Sequence, residues 1–158
     1  YISSENGDDT IKRFVTEIPN QEFIDNSYHR YSVIAHEYFH CYQLTLNRYM
    51  NYPNDDPSSF DTKWLIEGTA AIFEGMYIQQ YYGDNYTQNS QNEVHANVLS
   101  NPSSYESSDS NGATDINYSS SIFLVLVLAK ELQNLGYTEV ASFKMILKAI
   151  SNILDQNA

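Results

Sequence analysis

The sequence predicts a mainly α-helical fold, because four long segments repeat apolar residues at helical spacing and turn-forming residues separate them. These segments lie near residues 28–50, 62–82, 118–134 and 138–153. The chain has 158 residues, which is enough for a single domain, 1–158, with a real hydrophobic core.

The ends of the predicted helices carry recognisable start and stop signals. Asn26 or Ser27 can cap the start of the first helix, and Pro53 lies just beyond its end. Gly136 separates the last two helices, and Thr138 is placed to cap the final one. Local chemistry therefore supports the helix boundaries that the apolar periodicity indicates.

The remaining segments are less regular. Alternation over Thr10–Ile18, ahead of Pro19, predicts a short N-terminal strand. Residues 84–98 are weakly helical, and Asn101–Asp115 reads as a polar loop. The loop Asn51–Phe60 holds acids that could bind Ca²⁺, but it lacks the EF-hand pattern, so a solvated turn is expected.

The motif with the clearest chemistry is His36-Glu37-Tyr38-Phe39-His40, which has the form H-E-x-x-H. On a helix, two residues four apart lie about 40° apart around the axis and roughly 6 Å apart along it. Both imidazoles can therefore reach one Zn²⁺ from the same face. Glu37 can reach a water on that metal without ligating it, so the motif supplies two ligands and a general base.

A third ligand is predicted at Glu67, on the next helix. An apolar neighbourhood, which includes Trp64 and Phe73, disfavours an unpaired carboxylate, and a metal is the obvious cation for it. A catalytic zinc takes three protein ligands and leaves one position for water. Gly68 and the alanines that follow keep this helix slim, so it is expected to lie close against the first helix.

These residues resemble the gluzincin metallopeptidases of clan MA, in which H-E-x-x-H is followed by a helical glutamate in a W-x-x-E-G-x-A-like context. The chain also resembles locally the peptidase subdomain of bacterial collagenases, and this resemblance covers about residues 28–82 well. The resemblance implies a zincin-like catalytic helical subdomain. It also implies one catalytic Zn²⁺ held by His36, His40 and Glu67, with Glu37 as the base.

The resemblance also suggests a donor for the oxyanion. In such peptidases a Tyr at a helix start faces the metal, and Tyr118 occupies a comparable place here. A phenol can donate a hydrogen bond while it remains neutral at pH 7. The chain has 14 Tyr, most of which are expected to pack, so His95 remains the alternative donor.

Three further residues have competing interpretations. Glu74 lies seven positions after Glu67, so it could steady a histidine ligand or be a solvated or structurally paired glutamate. His29 could line the cleft, but a surface position at the helix start is favoured. Cys41, the single cysteine, projects about 100° from His40 and is expected to be a small buried hydrophobe, not a fourth ligand.

Composition restricts the partners. The formal charge of −12 and the lack of any Lys/Arg cluster disfavour nucleic acid and anionic membranes. No apolar stretch is long enough to span a membrane. Richness in Tyr, Asn and Ser with little Lys suggests an extracellular, secreted protein. The absence of an initiating Met suggests a processed or excised segment. Because gluzincin peptidases are usually larger, the chain is expected to be either a compact minimal form or the catalytic piece of a longer protein.

Taken together, the patterns predict a zinc metallopeptidase, a gluzincin-type endopeptidase acting on peptide or protein substrates. An aminopeptidase of the same clan is the first alternative, although the chain lacks a clear G-x-M-E-N-type motif. A non-catalytic, zinc-stabilised binding module is the second. Glu37 argues against the second, because a structural site has no use for a base there. The oligomeric state is left open.

Overall fold

The computed structural model of the chain describes residues 2–5, 8–46, 63–85, 100 and 118–156, and within them the fold is mainly helical, as predicted. The N-terminal strands are β1 (Ile2–Glu5) and β2 (Asp8–Phe14). The helices of the described residues are α1 (Asn20–Ile24), α2 (His29–Leu46), α3 (Lys63–Tyr82), α4 (Tyr118–Asn134) and α5 (Glu139–Gln156). The loop 51–60, with its possible Ca²⁺ ligands, and most of 84–117 lie outside the described residues.

The N-terminal strand prediction was right in kind but not in extent. β1 and β2 pair antiparallel as a hairpin, with Ile2 opposite Phe14. β2 ends at Phe14 because its pairing with β1 ends there, whereas the predicted strand ran on to Ile18. Neither β1 nor the short helix α1, which follows Pro19, was predicted from the sequence.

The caps of the longer helices follow their local sequence. The backbone N–H of His29 donates to the Ser27 hydroxyl at 3.0 Å, so Ser27 caps α2. Thr138 caps α5 by accepting from the backbone N–H of Ala141 at 3.2 Å. Gly136, with a φ of +98°, adopts the left-handed conformation that ends α4 and that glycine tolerates best.

α3 is the central helix, because it packs against α2 on one side and against α4 on the other. The apolar core lies on the second side, where α3, α4 and α5 meet. Its buried members are Leu65, Ala71, Ile72, Ile122, Val125, Ala129, Ile146 and Ile150.

Gly68 explains how closely α3 and α4 approach each other. A Cβ placed on Gly68 would lie 2.6 Å from the backbone oxygen of Ser121 and 2.9 Å from a methyl group of Val125, both on α4. The sequence interpretation was therefore wrong about the partner: Gly68 allows α3 to approach α4, not α2. None of the helices within the described residues is long and apolar enough to cross a membrane.

Candidate metal centre

Three side chains from α2 and α3 converge between these two helices. His36 and His40 lie one turn apart on α2, and their rings meet edge to face with centroids 4.8 Å apart. Glu67 Oε2, on α3, lies 3.2 Å from His36 Nε2 and 3.5 Å from His40 Nε2. One ligand atom from each of the three residues lies within 4.8 Å of the other two, so this group could hold a metal ion.

The spacing between Glu67 and each of the two histidines suits a tetrahedral metal. Two ligand atoms bound to zinc at the usual bond lengths and at tetrahedral angles are about 3.3 Å apart. The two distances from Glu67 Oε2 to the histidine nitrogens, 3.2 and 3.5 Å, lie on either side of that value. The side chains are also mostly buried, with exposed fractions of 7% for His36, 15% for His40 and 19% for Glu67. Two of the three distances between donor atoms therefore suit a tetrahedral metal as they stand, and the third, between the two histidine nitrogens, lies within 4.8 Å and would shorten to about 3.3 Å when a metal binds.

Burial and mutual contacts shift the pKa values of the group in opposite directions. Burial lowers the pKa of His36, but hydrogen bonds and charge interactions with Glu67 and Glu74 outweigh it and raise the pKa to about 9. Burial raises the pKa of Glu67, yet the hydrogen bonds from both histidines bring it well below its usual range. Without a metal, the site therefore favours an ionised Glu67 facing a protonated His36.

Glu74 supports His36 from behind. Its Oε2 lies 3.2 Å from His36 Nδ1, the ring nitrogen that is not directed at Glu67. Its Oε1 accepts from the Ser32 hydroxyl at 2.5 Å and lies 3.1 Å from His29 Nδ1. Burial raises the pKa of Glu74, but the hydrogen bonds from His29, His36 and Ser32 lower it to about 2. Glu74 is therefore a buried, paired glutamate in contact with His36, which fits both the expected support of a histidine and the expected structural pairing but not a solvated position.

Gln43 supports His40 in the same way. Its Oε1 lies 2.7 Å from His40 Nδ1, and its Nε2 donates to the carbonyl of Ile66 at 2.9 Å and to the Thr69 hydroxyl at 2.7 Å. Sequence reasoning did not find Gln43. The available signal was its position three residues after His40, on the same face of α2.

The other sequence-predicted residues of α2 have the following places. Glu37 is half-buried and is not part of the metal-holding group; it follows His36 on the helix, so its side chain projects about 100° from that ligand. Cys41 is also half-buried and outside the group, and burial raises the pKa of its thiol. His29 is partly exposed and contacts Glu74, so its imidazole takes part in the polar network behind His36.

Of the two candidates for oxyanion stabilisation, the structure describes only the backbone of Tyr118. Tyr118 is the first residue of α4, so its backbone does open a helix, as predicted, but its side chain lies outside the described residues. His95 also lies outside them. The choice between the two therefore stays a prediction.

Comparison with known proteins leaves this geometry as the main source of functional information. The chain matches no protein-family model, no curated protein and no solved structure.

Proposed function

We propose that the protein is a zinc-dependent peptidase of the endopeptidase type, with His36, His40 and Glu67 as zinc ligands and Glu37 as the general base. The observation that carries the proposal is the convergence of His36 Nε2, His40 Nε2 and Glu67 Oε2 at distances of 3.2 and 3.5 Å. Two histidines and one carboxylate are a typical donor set of hydrolytic zinc sites, in which a fourth position is open to water.

The roles of the chain's own residues follow from their chemistry. When bound, the zinc ion would polarise the scissile carbonyl and lower the pKa of a bound water to about 7. Glu37 accepts the proton of that water and passes it to the amine that leaves. Glu37 suits this role because it follows His36 directly yet remains outside the group of ligands.

A donor for the developing oxyanion completes the proposal. Tyr118 takes this role through its hydroxyl, with His95 as the alternative donor. Tyr118 is favoured because α4, which it opens, packs against α3, the helix that carries Glu67. The substrate is a peptide or protein, in keeping with a hydrolytic zinc site and an extracellular location.

Glu37→Gln is the decisive experiment. The amide is nearly isosteric with the carboxylate but cannot accept the water proton at neutral pH. Hydrolysis of a mixed peptide library by the zinc-loaded protein should fall by about 10²-fold or more, whereas zinc content should not change. Glu131→Gln is a matched control, because Glu131 is an exposed glutamate of α4, and it should leave both activity and zinc content unchanged.

The same library separates the proposal from its alternatives. Cleavage at internal bonds supports an endopeptidase, and stepwise loss of N-terminal residues would identify an aminopeptidase. A zinc-loaded wild-type protein that cleaves nothing across a broad library would contradict the peptidase proposal. A non-catalytic zinc-binding module would then be the better account.

Tyr118→Phe tests the oxyanion donor separately. The substitution keeps the ring and removes only the hydroxyl, so turnover should fall by about 10²-fold or more while zinc content and fold are unchanged. Steady-state kinetics with a cleavable peptide measure this. Full activity in Tyr118→Phe, together with a comparable loss in His95→Ala, would move the role to His95.

A further inference from the structure

The orientation of the Gln43 amide is determined by what surrounds it. Gln43 is buried, and one end of its amide faces the carbonyl of Ile66 at 2.9 Å. A carbonyl only accepts, so this end must be the NH₂ group. The hydroxyl of Thr69, 2.7 Å away, also accepts from it, because that hydroxyl is within bonding distance of the carbonyls of Leu65 and Ile66 and can donate its own hydrogen there.

This orientation in turn determines which nitrogen of His40 carries a proton. The opposite end of the amide is Oε1, an acceptor, and it lies 2.7 Å from His40 Nδ1. Nδ1 must therefore donate. An imidazole that binds a metal keeps one N–H, so Nε2 is the nitrogen left to bind it. That nitrogen is the one that lies near Glu67.

The Nδ1 atom of His36 is also held as a donor, by a carboxylate in place of an amide. Glu74 Oε2 lies 3.2 Å from His36 Nδ1, and an ionised carboxylate can only accept. Glu74 Oε1 is occupied by the Ser32 hydroxyl at 2.5 Å and His29 Nδ1 at 3.1 Å, and these contacts restrict rotation of the carboxylate. Nδ1 of His36 therefore donates as well, and its Nε2 is left to face Glu67.

We propose that Gln43 and Glu74 are positioning residues that hold the hydrogen on Nδ1 of both histidine ligands, so that each ring binds the metal through Nε2. The inference rests on the proposed metal site and adds to it how the site is prepared. Gln43 also ties His40 to the backbone of α3 beside Glu67, which couples the placement of the second and third ligands. Ligand histidines generally need such an outer partner to bind metal tightly.

Each positioning residue has a substitution of similar volume that removes its acceptor oxygens or leaves fewer of them. Gln43→Met has a side chain of similar length without the amide. Glu74→Gln keeps the shape, but its amide offers only one acceptor atom. If that oxygen stays with Ser32 and His29, an NH₂ group faces His36 Nδ1 and opposes the required tautomer. Glu131→Gln again serves as the control for loss of an exposed carboxylate.

The experiment measures zinc affinity by competition with a chromophoric chelator, and the absorption spectrum of the Co²⁺-substituted protein. Both Gln43→Met and Glu74→Gln should weaken zinc binding by about 10- to 100-fold and alter the Co²⁺ spectrum, whereas Glu131→Gln should do neither. A purely structural role would lower the unfolding temperature of the metal-free protein but leave the Co²⁺ spectrum of the folded fraction unchanged. That result would overturn the inference.

A measurement on the wild type keeps the test independent of how the variants fold. In the zinc-loaded protein, long-range ¹H–¹⁵N NMR correlations should show protonated Nδ1 and metal-bound Nε2 for both His36 and His40. Coordination through Nδ1 by either ring would overturn the inference and leave the peptidase proposal intact. Zinc bound through both Nε2 atoms in a protein that cleaves no peptide would do the reverse. Absence of zinc binding would overturn both.

Discussion

α3 separates two interfaces of opposite character. Towards α2 it presents Glu67 and Glu74, which meet three histidines and a serine in a largely buried polar network. Towards α4 and α5 it contributes Leu65 and Ile72 to a cluster of buried aliphatic side chains. One helix thus carries both the candidate chemistry and a large share of the apolar packing, on different faces.

The difference between the interfaces indicates a division of roles. Apolar burial stabilises a fold roughly in proportion to the area removed from water. A buried polar network gains much less, because its members first lose their contacts with water. The network between α2 and α3 therefore stabilises the fold less than apolar packing would, and metal binding would explain why these polar residues are buried there. Substitutions on the two sides should accordingly have separable effects.

The largest expected effect is loss of metal on the polar side. His36→Ala or His40→Ala should abolish stoichiometric zinc binding, because each removes one of the two nitrogen ligands. Glu67→Ala should weaken it sharply. Native mass spectrometry of the zinc-loaded proteins measures this directly. Full zinc retention in Glu67→Ala would remove Glu67 as the third ligand.

The apolar side should respond in stability. Ile146, on α5, is 1% exposed and belongs to the core cluster. Ile146→Ala should lower the free energy of unfolding by about 2–5 kcal/mol, because it removes buried methylene groups and leaves a cavity. Chemical denaturation measures the loss. Met145→Ala is the matched control on the same helix, since Met145 is 38% exposed, and its effect should be much smaller.

Measuring the zinc content of Ile146→Ala tests whether the polar and apolar interfaces of α3 are independent. Ile146→Ala should still bind one zinc per chain under conditions in which it is folded, because Ile146 belongs to the apolar cluster and not to the metal-holding group. Loss of zinc from folded Ile146→Ala would show that the two interfaces are not separable.

The smallest expected effect is a pH dependence of stability, of which the alkaline part is confined to the metal-free protein. The pKa of His36 is raised from 6.5 to about 9, so its contribution to stability is complete below pH 6.5 and is lost as the pH rises towards 9. Glu67 and Glu74 have pKa values below their ordinary 4.5, so their contribution is present above pH 4.5 and is lost as the pH falls below it. The metal-free protein should be most stable between pH 4.5 and 6.5.

Bound zinc should abolish the loss of stability that the metal-free protein shows as the pH rises from 6.5 towards 9. The metal takes the place of the proton on His36 Nε2, so the zinc-loaded protein should not lose stability between pH 6.5 and 9. Unfolding temperatures measured across this range, with zinc and with a chelator, make the comparison. A metal-free protein that becomes more stable from pH 6.5 to 9 would contradict the assigned contacts of His36.

Much of this protein follows from local sequence. The four long helices were predicted close to their observed bounds, because helical periodicity and caps such as Ser27 and Thr138 act within a few residues of the chain. The H-E-x-x-H spacing placed His36 and His40 on one face of α2 for the same reason. Glu67 was harder to predict, because it lies on a different helix; the signal was that its neighbours in the sequence are apolar.

What the tertiary structure decided are the contacts between residues distant in sequence. Glu74 meets His36 across 38 positions, and Gln43 meets the backbone of Ile66 across 23. Gly68 faces α4, not α2, because the rotation of α3 about its axis depends on which of its faces is buried against which helix. Periodicity shows that a helix has distinct faces, but only packing decides which neighbouring helix each face contacts. Packing therefore also decides which residue accepts the hydrogen bond from Nδ1 of each histidine.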